Sequence, residues 1–125
     1  MLASARADLD GLAPRSTVIL DGVCPFHGPA IVFDSYWDFG GALTIALGRP
    51  VNGDVISSRT RALPDGIETS IYGERSFHQY GPHLYVYDPR KHLVLRLGDA
   101  KTAERHFRSS PNRECPGFEG RGVAV

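Results

Sequence analysis

The sequence contains no apolar run approaching the roughly 18 residues that predict a membrane-spanning helix. It also has no net charge, because fourteen basic side chains balance fourteen acidic ones. No overall field therefore draws the chain toward nucleic acid or an anionic membrane. The stretch Met1–Asp8 lacks the apolar core of a signal peptide. Together these absences predict a cytoplasmic protein whose partners include neither membranes nor nucleic acid.

Familiar catalytic signatures are missing as well. The chain has no Gly-x-Ser-x-Gly elbow, no His-Glu-x-x-His helix, no Walker-type loop and no Gly-x-Gly-x-x-Gly turn. Lysine occurs only twice against twelve arginines, a skew typical of coding bias in a GC-rich bacterial genome. Cys24 and Cys115 lie near opposite ends of the chain, and the sequence leaves their pairing open, although buried thiols are commoner in a reducing compartment.

One short string has the residues of a metal site. Cys24-Pro25-Phe26-His27-Gly28 resembles the second ligand box of a Rieske iron–sulfur domain. That domain needs a matching upstream box to supply the other two ligands, and no Cys or His precedes Cys24. The carboxylates Asp34, Asp38 and Asp54 do not have the spacing of a calcium loop. The sequence therefore predicts no cofactor and no metal.

The rest of the composition is that of an ordinary globular domain. Hydrophobic residues make up 42% of the chain and charged residues 22%. Two domains within 125 residues would each be too small to build a good core, so residues 1–125 are predicted to form a single domain. Residues 112–125 carry no hydrophobic period and include four Gly or Pro residues, which predicts an irregular or disordered tail.

Hydrophobic periodicity predicts an α+β fold with a single antiparallel β-sheet of about six strands. Helical spacing indicates a short N-terminal helix over residues 2–12 and a C-terminal helix over about residues 100–110. Residues 29–36 and 42–47 resemble a hairpin whose tip is 37–41. The other predicted strands cover residues 17–20, 54–63, 67–72, 83–87 and 92–97.

Aromatic residues lie at the predicted hairpin tip and on outward-facing strand positions. Tyrosine, tryptophan and arginine dominate protein–protein hot spots because they combine a large contact area with a polar group. The leading hypothesis is a small, non-enzymatic module that binds another protein by occlusion, as bacterial immunity proteins and inhibitors bind a toxin or enzyme. The predicted partner-binding residues are Tyr36, Trp37, Asp38, Phe39, Tyr85, Tyr87 and Arg96.

Two alternatives remain open. A metal-independent hydrolase or ribonuclease needs a general base, a general acid and a guanidinium for the phosphate, and it would gather them in a cleft. A homo-oligomeric structural subunit, such as a homodimer, would pair an exposed edge strand with its own copy. The predicted catalytic residues of the hydrolase are Glu68, Glu74, Arg75, His78 and His92.

Overall fold

A computed structural model describes residues 2–21, 26–27, 30–31, 36–56, 60–71, 74–89 and 91–109, which form an α+β fold. Three helices and nine strands lie within these ranges. In chain order they are α1 (Leu2–Asp8), β1 (Thr17–Leu20), β2 (Phe26–His27), β3 (Ala30–Ile31), α2 (Tyr36–Leu47), β4 (Asn52–Val55), β5 (Arg61–Ala62), β6 (Gly66–Ile71), β7 (Glu74–Gln79), β8 (Leu84–Asp88), β9 (Leu93–Arg96) and α3 (Ala100–Ser109).

A mixed four-stranded sheet, in the order β4-β1-β8-β9, lies at the centre of the fold. Strand β1 pairs in parallel with both β4 and β8, whereas β8 and β9 are antiparallel. The sequence of β1, Thr-Val-Ile-Leu, suits a strand covered on both faces, because it is apolar at three consecutive positions and rich in β-branched residues. These three positions are fully buried.

Helix α2 forms the crossover that makes the β1–β4 pairing parallel, since it follows β1 in the chain and packs against β4. The approach is close. A Cβ added at Gly40 would lie 2.8 Å from the backbone nitrogen of Gly53, so only glycine lets the helix sit so near the strand. Leu43, one helical turn beyond Gly40, is fully buried on this side.

Each face of the central sheet has its own hydrophobic core. On one face, Val18 and Leu20 of β1 pack with residues of α1 and α2. On the other face, Ile19 packs with Ile67 of β6 and with Phe107 of α3. The alternation of side chains along β1 therefore places two helices on one side, and β6 and α3 on the other.

A smaller antiparallel sheet, in the order β5-β6-β7, contributes β6 to the second core. Helix α3, which also contributes to this core, follows β9 in the chain. Asp99 caps this helix, because its Oδ1 accepts the backbone N–H of Thr102 at 2.8 Å. This backbone hydrogen bond lowers the pKa of Asp99 below its usual value. None of the helices in the described ranges is long and apolar enough to cross a membrane.

The prediction of a single antiparallel sheet is wrong, because the strands divide into separate sheets and the central one is mixed. The predicted hairpin over 29–47 is also wrong, since Tyr36–Leu47 is a helix. In a strand, Ile45 would lie on the same face as Leu43 and Leu47, whereas the helix leaves it 84% exposed. The C-terminal helix is confirmed, and the N-terminal helix ends earlier, at Asp8. The predicted tail and both cysteines lie outside the described residues.

Candidate active site

A buried carboxylate on strand β4 forms the base of the candidate site. The Asp54 side chain is only 1% exposed, and its Oδ2 lies 2.6 Å from Nε2 of His78. The Thr69 hydroxyl donates a second hydrogen bond to the same oxygen, and the backbone N–H of Val55 donates to Oδ1 at 2.8 Å. A carboxylate this deeply buried requires such donors, because each unpaired oxygen would carry a large desolvation cost.

The strand register brings these groups together. On β4, Val55 points into the first core, so the preceding Asp54 faces the smaller sheet. On that sheet, Ile67 of β6 lies opposite His78 of β7 and belongs to the second core. Directly paired residues share a face of the sheet, so His78 also faces the central sheet and meets Asp54.

The hydrogen bonds of Asp54 determine which nitrogen of His78 carries the proton. An ionised carboxylate can only accept hydrogen bonds, so the neutral imidazole has its hydrogen on Nε2 and donates it to Asp54. Its Nδ1 then keeps a lone pair. This is the arrangement in which a buried aspartate holds a histidine in one tautomer for use as a general base.

His78 is 18% exposed and lines a surface pocket of about 320 Å³. The pocket lies between β7 and the residues that precede and begin β1 and β8. Arg15, whose backbone has a φ of 67°, is an exposed lining residue, as is His83. The lining residues with polar or aromatic side chains are Arg15, Thr17, Phe77, His78, Gln79 and His83.

This set of side chains suits an anionic ligand. Two imidazoles can exchange protons near neutral pH, and a guanidinium binds phosphate or carboxylate through charge-assisted hydrogen bonds. None of the described residues that line the pocket is acidic, so none of them repels an anion. Within the described part of the chain, no group of three or more His, Cys, Asp or Glu residues could hold a metal ion.

Most of the catalytic residues predicted from sequence lie elsewhere. Glu68 pairs with Phe77 in the register, on the face of the small sheet away from His78, and its carboxylate lies 3.7 Å from Arg61. Arg75 is exposed, and its strand position also alternates away from His78. Glu74 begins β7, and its side chain lies outside the described residues. Of the members of this set whose side chains the structure describes, only His78 lines the pocket.

His92 belongs to a different cluster, at the turn between β8 and β9. Its Nδ1 lies 2.8 Å from Oδ2 of Asp8, which also accepts the Tyr87 hydroxyl at 2.7 Å. The hydrogen bond from Tyr87, followed by that from His92, lowers the pKa of Asp8. Burial, and then the bond to Asp8, raise the pKa of Tyr87. The prediction that Tyr87 is an outward-facing anchor is wrong, because its side chain is fully buried in the first core.

The other predicted partner-binding residues are only partly described. Tyr85 is half-buried, and the exposed guanidinium of Arg96 lies over its ring at 5.8 Å from the centroid, within the range of a cation–π contact. Tyr36, Trp37, Asp38 and Phe39 form the first turn of α2 rather than a hairpin tip. Their side chains lie outside the described part of the structure.

A third histidine–aspartate pair is buried away from the pocket. Nε2 of His106 on α3 lies 2.7 Å from Oδ2 of Asp21, at the end of β1, and both side chains are almost fully buried. The pair joins the last helix to the central sheet. Its burial makes it a structural contact, in contrast to the Asp54–His78 pair, which opens on a pocket.

Comparison with known proteins gives no family for this chain. No family model, curated protein or solved structure matches it. The residues predicted from sequence do not include Arg15, Asp54 or His83. The close spacing of His78 and His83 across Gly81-Pro82 was a signal that both could face one site.

Proposed function

We propose that this protein is a small metal-independent hydrolase that cleaves a phosphodiester by general acid–base catalysis in the Arg15–His78–His83 pocket. The observation that carries the proposal is the buried Asp54, which holds Nε2 of a histidine whose other nitrogen is left for a ligand. Acid–base catalysis needs a second proton-transfer group and a cation for the phosphate, and His83 and Arg15 line the same pocket.

In this mechanism, Arg15 binds the non-bridging oxygens of the phosphate, and His78 acts as the base. Nδ1 of His78 takes a proton from water as the new oxygen–phosphorus bond forms. Protonated His83 gives its proton to the leaving oxygen as the old phosphorus–oxygen bond breaks. The products are a phosphomonoester and an alcohol, and a second proton exchange with water restores both histidines. Asp54 stabilises the charge that develops on His78.

The hydrolase proposal rests on different residues from those predicted by sequence, with His78 in common. It accounts for features that a binding surface leaves unexplained, namely a buried carboxylate hydrogen-bonded to a histidine of the pocket, and an arginine and a second histidine in the same lining. General acid–base catalysis also requires His78 neutral and His83 protonated, so the rate should pass through a maximum with pH.

Protein binding by occlusion, in the manner of an immunity protein or inhibitor, remains a second proposal. The Arg96–Tyr85 contact favours it, because stacked arginine and tyrosine are typical of interface hot spots. Tyr87 cannot be one of the residues that contact the partner, since its side chain is buried. A cytoplasmic location and a homo-oligomeric role likewise remain predictions.

The experiment compares two diesters, one releasing nitrophenol and one releasing an unactivated alcohol, in the presence of a chelator. We expect His78→Ala to slow both reactions by about 10²- to 10⁴-fold. His83→Ala should slow chiefly the second reaction, because nitrophenolate leaves without a proton. His92→Ala is the matched control, since this exposed histidine lies outside the pocket. Turnover no faster than buffer with either diester, or equal rates in the His78 and His92 variants, would contradict the proposal.

A further inference from the structure

One histidine–aspartate pair lies at the surface, at the turn between β8 and β9. Nδ1 of His92 is 2.8 Å from Oδ2 of Asp8, and the same oxygen accepts the hydroxyl of the buried Tyr87 at 2.7 Å. The hydrogen bond from Tyr87, and then that from His92, lowers the pKa of Asp8, so this carboxylate is ionised at neutral pH. An ionised carboxylate only accepts hydrogen bonds, which places the hydrogen of the neutral imidazole on Nδ1.

The lone pair of this imidazole is therefore on Nε2, the nitrogen that does not contact Asp8. The His92 side chain is 62% exposed, and no residue in the described ranges forms a hydrogen bond with Nε2. The carboxylate of Asp8 is much less exposed, so an incoming reagent meets the imidazole first. The pair thus presents a nucleophilic nitrogen to solvent, with its tautomer fixed and a negative charge behind the ring.

The backbone at His92 is an independent sign of function. Its φ is 50°, in the left-handed region that most residues other than glycine avoid. Among the non-glycine residues of the described ranges, only Arg15 also has a positive φ, and Arg15 lines the candidate active site. Glycine adopts this φ without strain, so the shape of the turn does not by itself explain a histidine here. Strained residues of this kind concentrate at functional sites.

From this geometry we propose that Nε2 of His92 accepts a phosphoryl group from an activated phosphoryl donor, in a reaction separate from hydrolysis in the pocket. The lone pair of Nε2 forms the new nitrogen–phosphorus bond, while the bond from phosphorus to the leaving group breaks and the leaving group takes its electron pair. The ring gains a positive charge and Nδ1 keeps its hydrogen. Asp8 neutralises this charge through the existing hydrogen bond. No proton moves, so the step needs no general acid.

The open surface around His92 favours this chemistry over metal binding or hydrolysis. One imidazole supplies one metal ligand, and the described part of the chain holds no group of three or more His, Cys, Asp or Glu residues that could bind a metal ion. Hydrolysis requires a substrate held in place, whereas a donor can carry its own binding groups to an exposed acceptor. The exposed Lys91 precedes His92, and its positive charge favours a phosphoryl group over an uncharged acyl group.

The experiment treats the folded chain with potassium phosphoramidate, whose leaving group is ammonia, and locates the phosphoryl group by phosphorus NMR and by peptide mapping in alkali. We expect His92 to react before the other histidines, on Nε2 alone, and roughly 10-fold faster than in the same chain unfolded in urea, because the charged partner strengthens the hydrogen bond to Nδ1. Asp8→Asn should lose most of this gain but keep the selectivity for Nε2, since its amide oxygen still accepts from Nδ1. Asp8→Ala should give a mixture of both nitrogens. His92→Gly is the matched control, because glycine suits the left-handed turn and has no imidazole.

The outcomes are independent of diester hydrolysis, because His92 does not line the pocket. Equal reaction of His92 in the folded and the unfolded chain would overturn the proposal. An unchanged rate in Asp8→Asn, or earlier reaction of another histidine such as His83, would overturn it as well. A loss of folding in Asp8→Asn would appear in its thermal unfolding, and the comparison of the folded and unfolded parent chain would then decide.

Discussion

Replacing Asp54 by asparagine should lower both the free energy of unfolding and the rate of phosphodiester hydrolysis. The two losses have different physical causes. The side chain keeps its shape, and its amide oxygen can still accept the backbone N–H of Val55. The change falls on Oδ2, which accepts from His78 at 2.6 Å and from the Thr69 hydroxyl. An amide NH₂ in that place can only donate, so His78 must present a bare Nε2 and move its hydrogen to Nδ1.

The expected loss of stability follows from the count of hydrogen bonds. Two bonds to a charged carboxylate become bonds between neutral groups, and the difference is roughly 1 kcal/mol for each. The threonine hydroxyl can rotate to accept, so no donor is left unpaired. We therefore expect the free energy of unfolding to fall by about 2 kcal/mol. Phosphodiester hydrolysis should fall much further, by about 10²-fold or more, because the nitrogen facing the ligand no longer has a free lone pair.

Urea unfolding followed by circular dichroism measures the first quantity, and the hydrolysis assay measures the second. Thr69→Val is the matched control, because it removes one donor to the same oxygen and leaves the Asp54–His78 bond in place. It should lower stability by about 1 kcal/mol with little change in rate. An asparagine variant as stable as the parent chain would refute the reasoning about the buried carboxylate. Equal activity would refute the role of the tautomer.

Two further predictions concern the scaffold. Gly40→Ala should lower the free energy of unfolding by about 1–3 kcal/mol, because the new methyl group would meet the backbone of Gly53. Urea unfolding measures this loss, and an unchanged stability would mean that α2 can move away from β4 at no cost. Asp99→Ala should lower the thermal midpoint at neutral pH by removing the cap of α3. Since the pKa of Asp99 is lowered in the folded state, its contribution is present above the ordinary value of 3.8 and is lost as the pH falls through the folded pKa. The gap between the variant and the parent chain should therefore close in acid, and a gap that persists there would contradict the assignment.

The main error in predicting the fold came from one segment. In residues 42–47, large and small side chains alternate, which is the period of a half-buried strand. The same letters place Leu43 and Leu47 one helical turn apart, and Gly40 precedes them on that face, so the helix packs through these residues and leaves Ile45 outside. A strand over these residues leaves no crossover between β1 and β4. Parallel pairing of β1 could not then be predicted, because it requires a connection of that kind.

Local sequence patterns were sufficient to predict the strands and helices whose formation depends mainly on their own residues. The run Thr17–Leu20 and the capped helix beginning at Ala100 are confirmed for this reason. The candidate site is a different case, because Asp54 and His78 lie on separate sheets and meet only through tertiary packing. Sequence alone could identify a surplus of histidines, but it could not tell that His92 would instead contact Asp8.

The position of β1 within the central sheet affects how the chain can fold during synthesis. This strand leaves the ribosome before either of its neighbours, and its partner β8 is made only after α2 and the whole smaller sheet have emerged. Until then one edge of a strongly hydrophobic strand has no lasting partner. Contacts between residues so distant in sequence form slowly, and meanwhile the unpaired edge of β1 can pair with strands of other chains. Nascent chains stalled between β4 and β8 should therefore depend on chaperones more than the finished protein does.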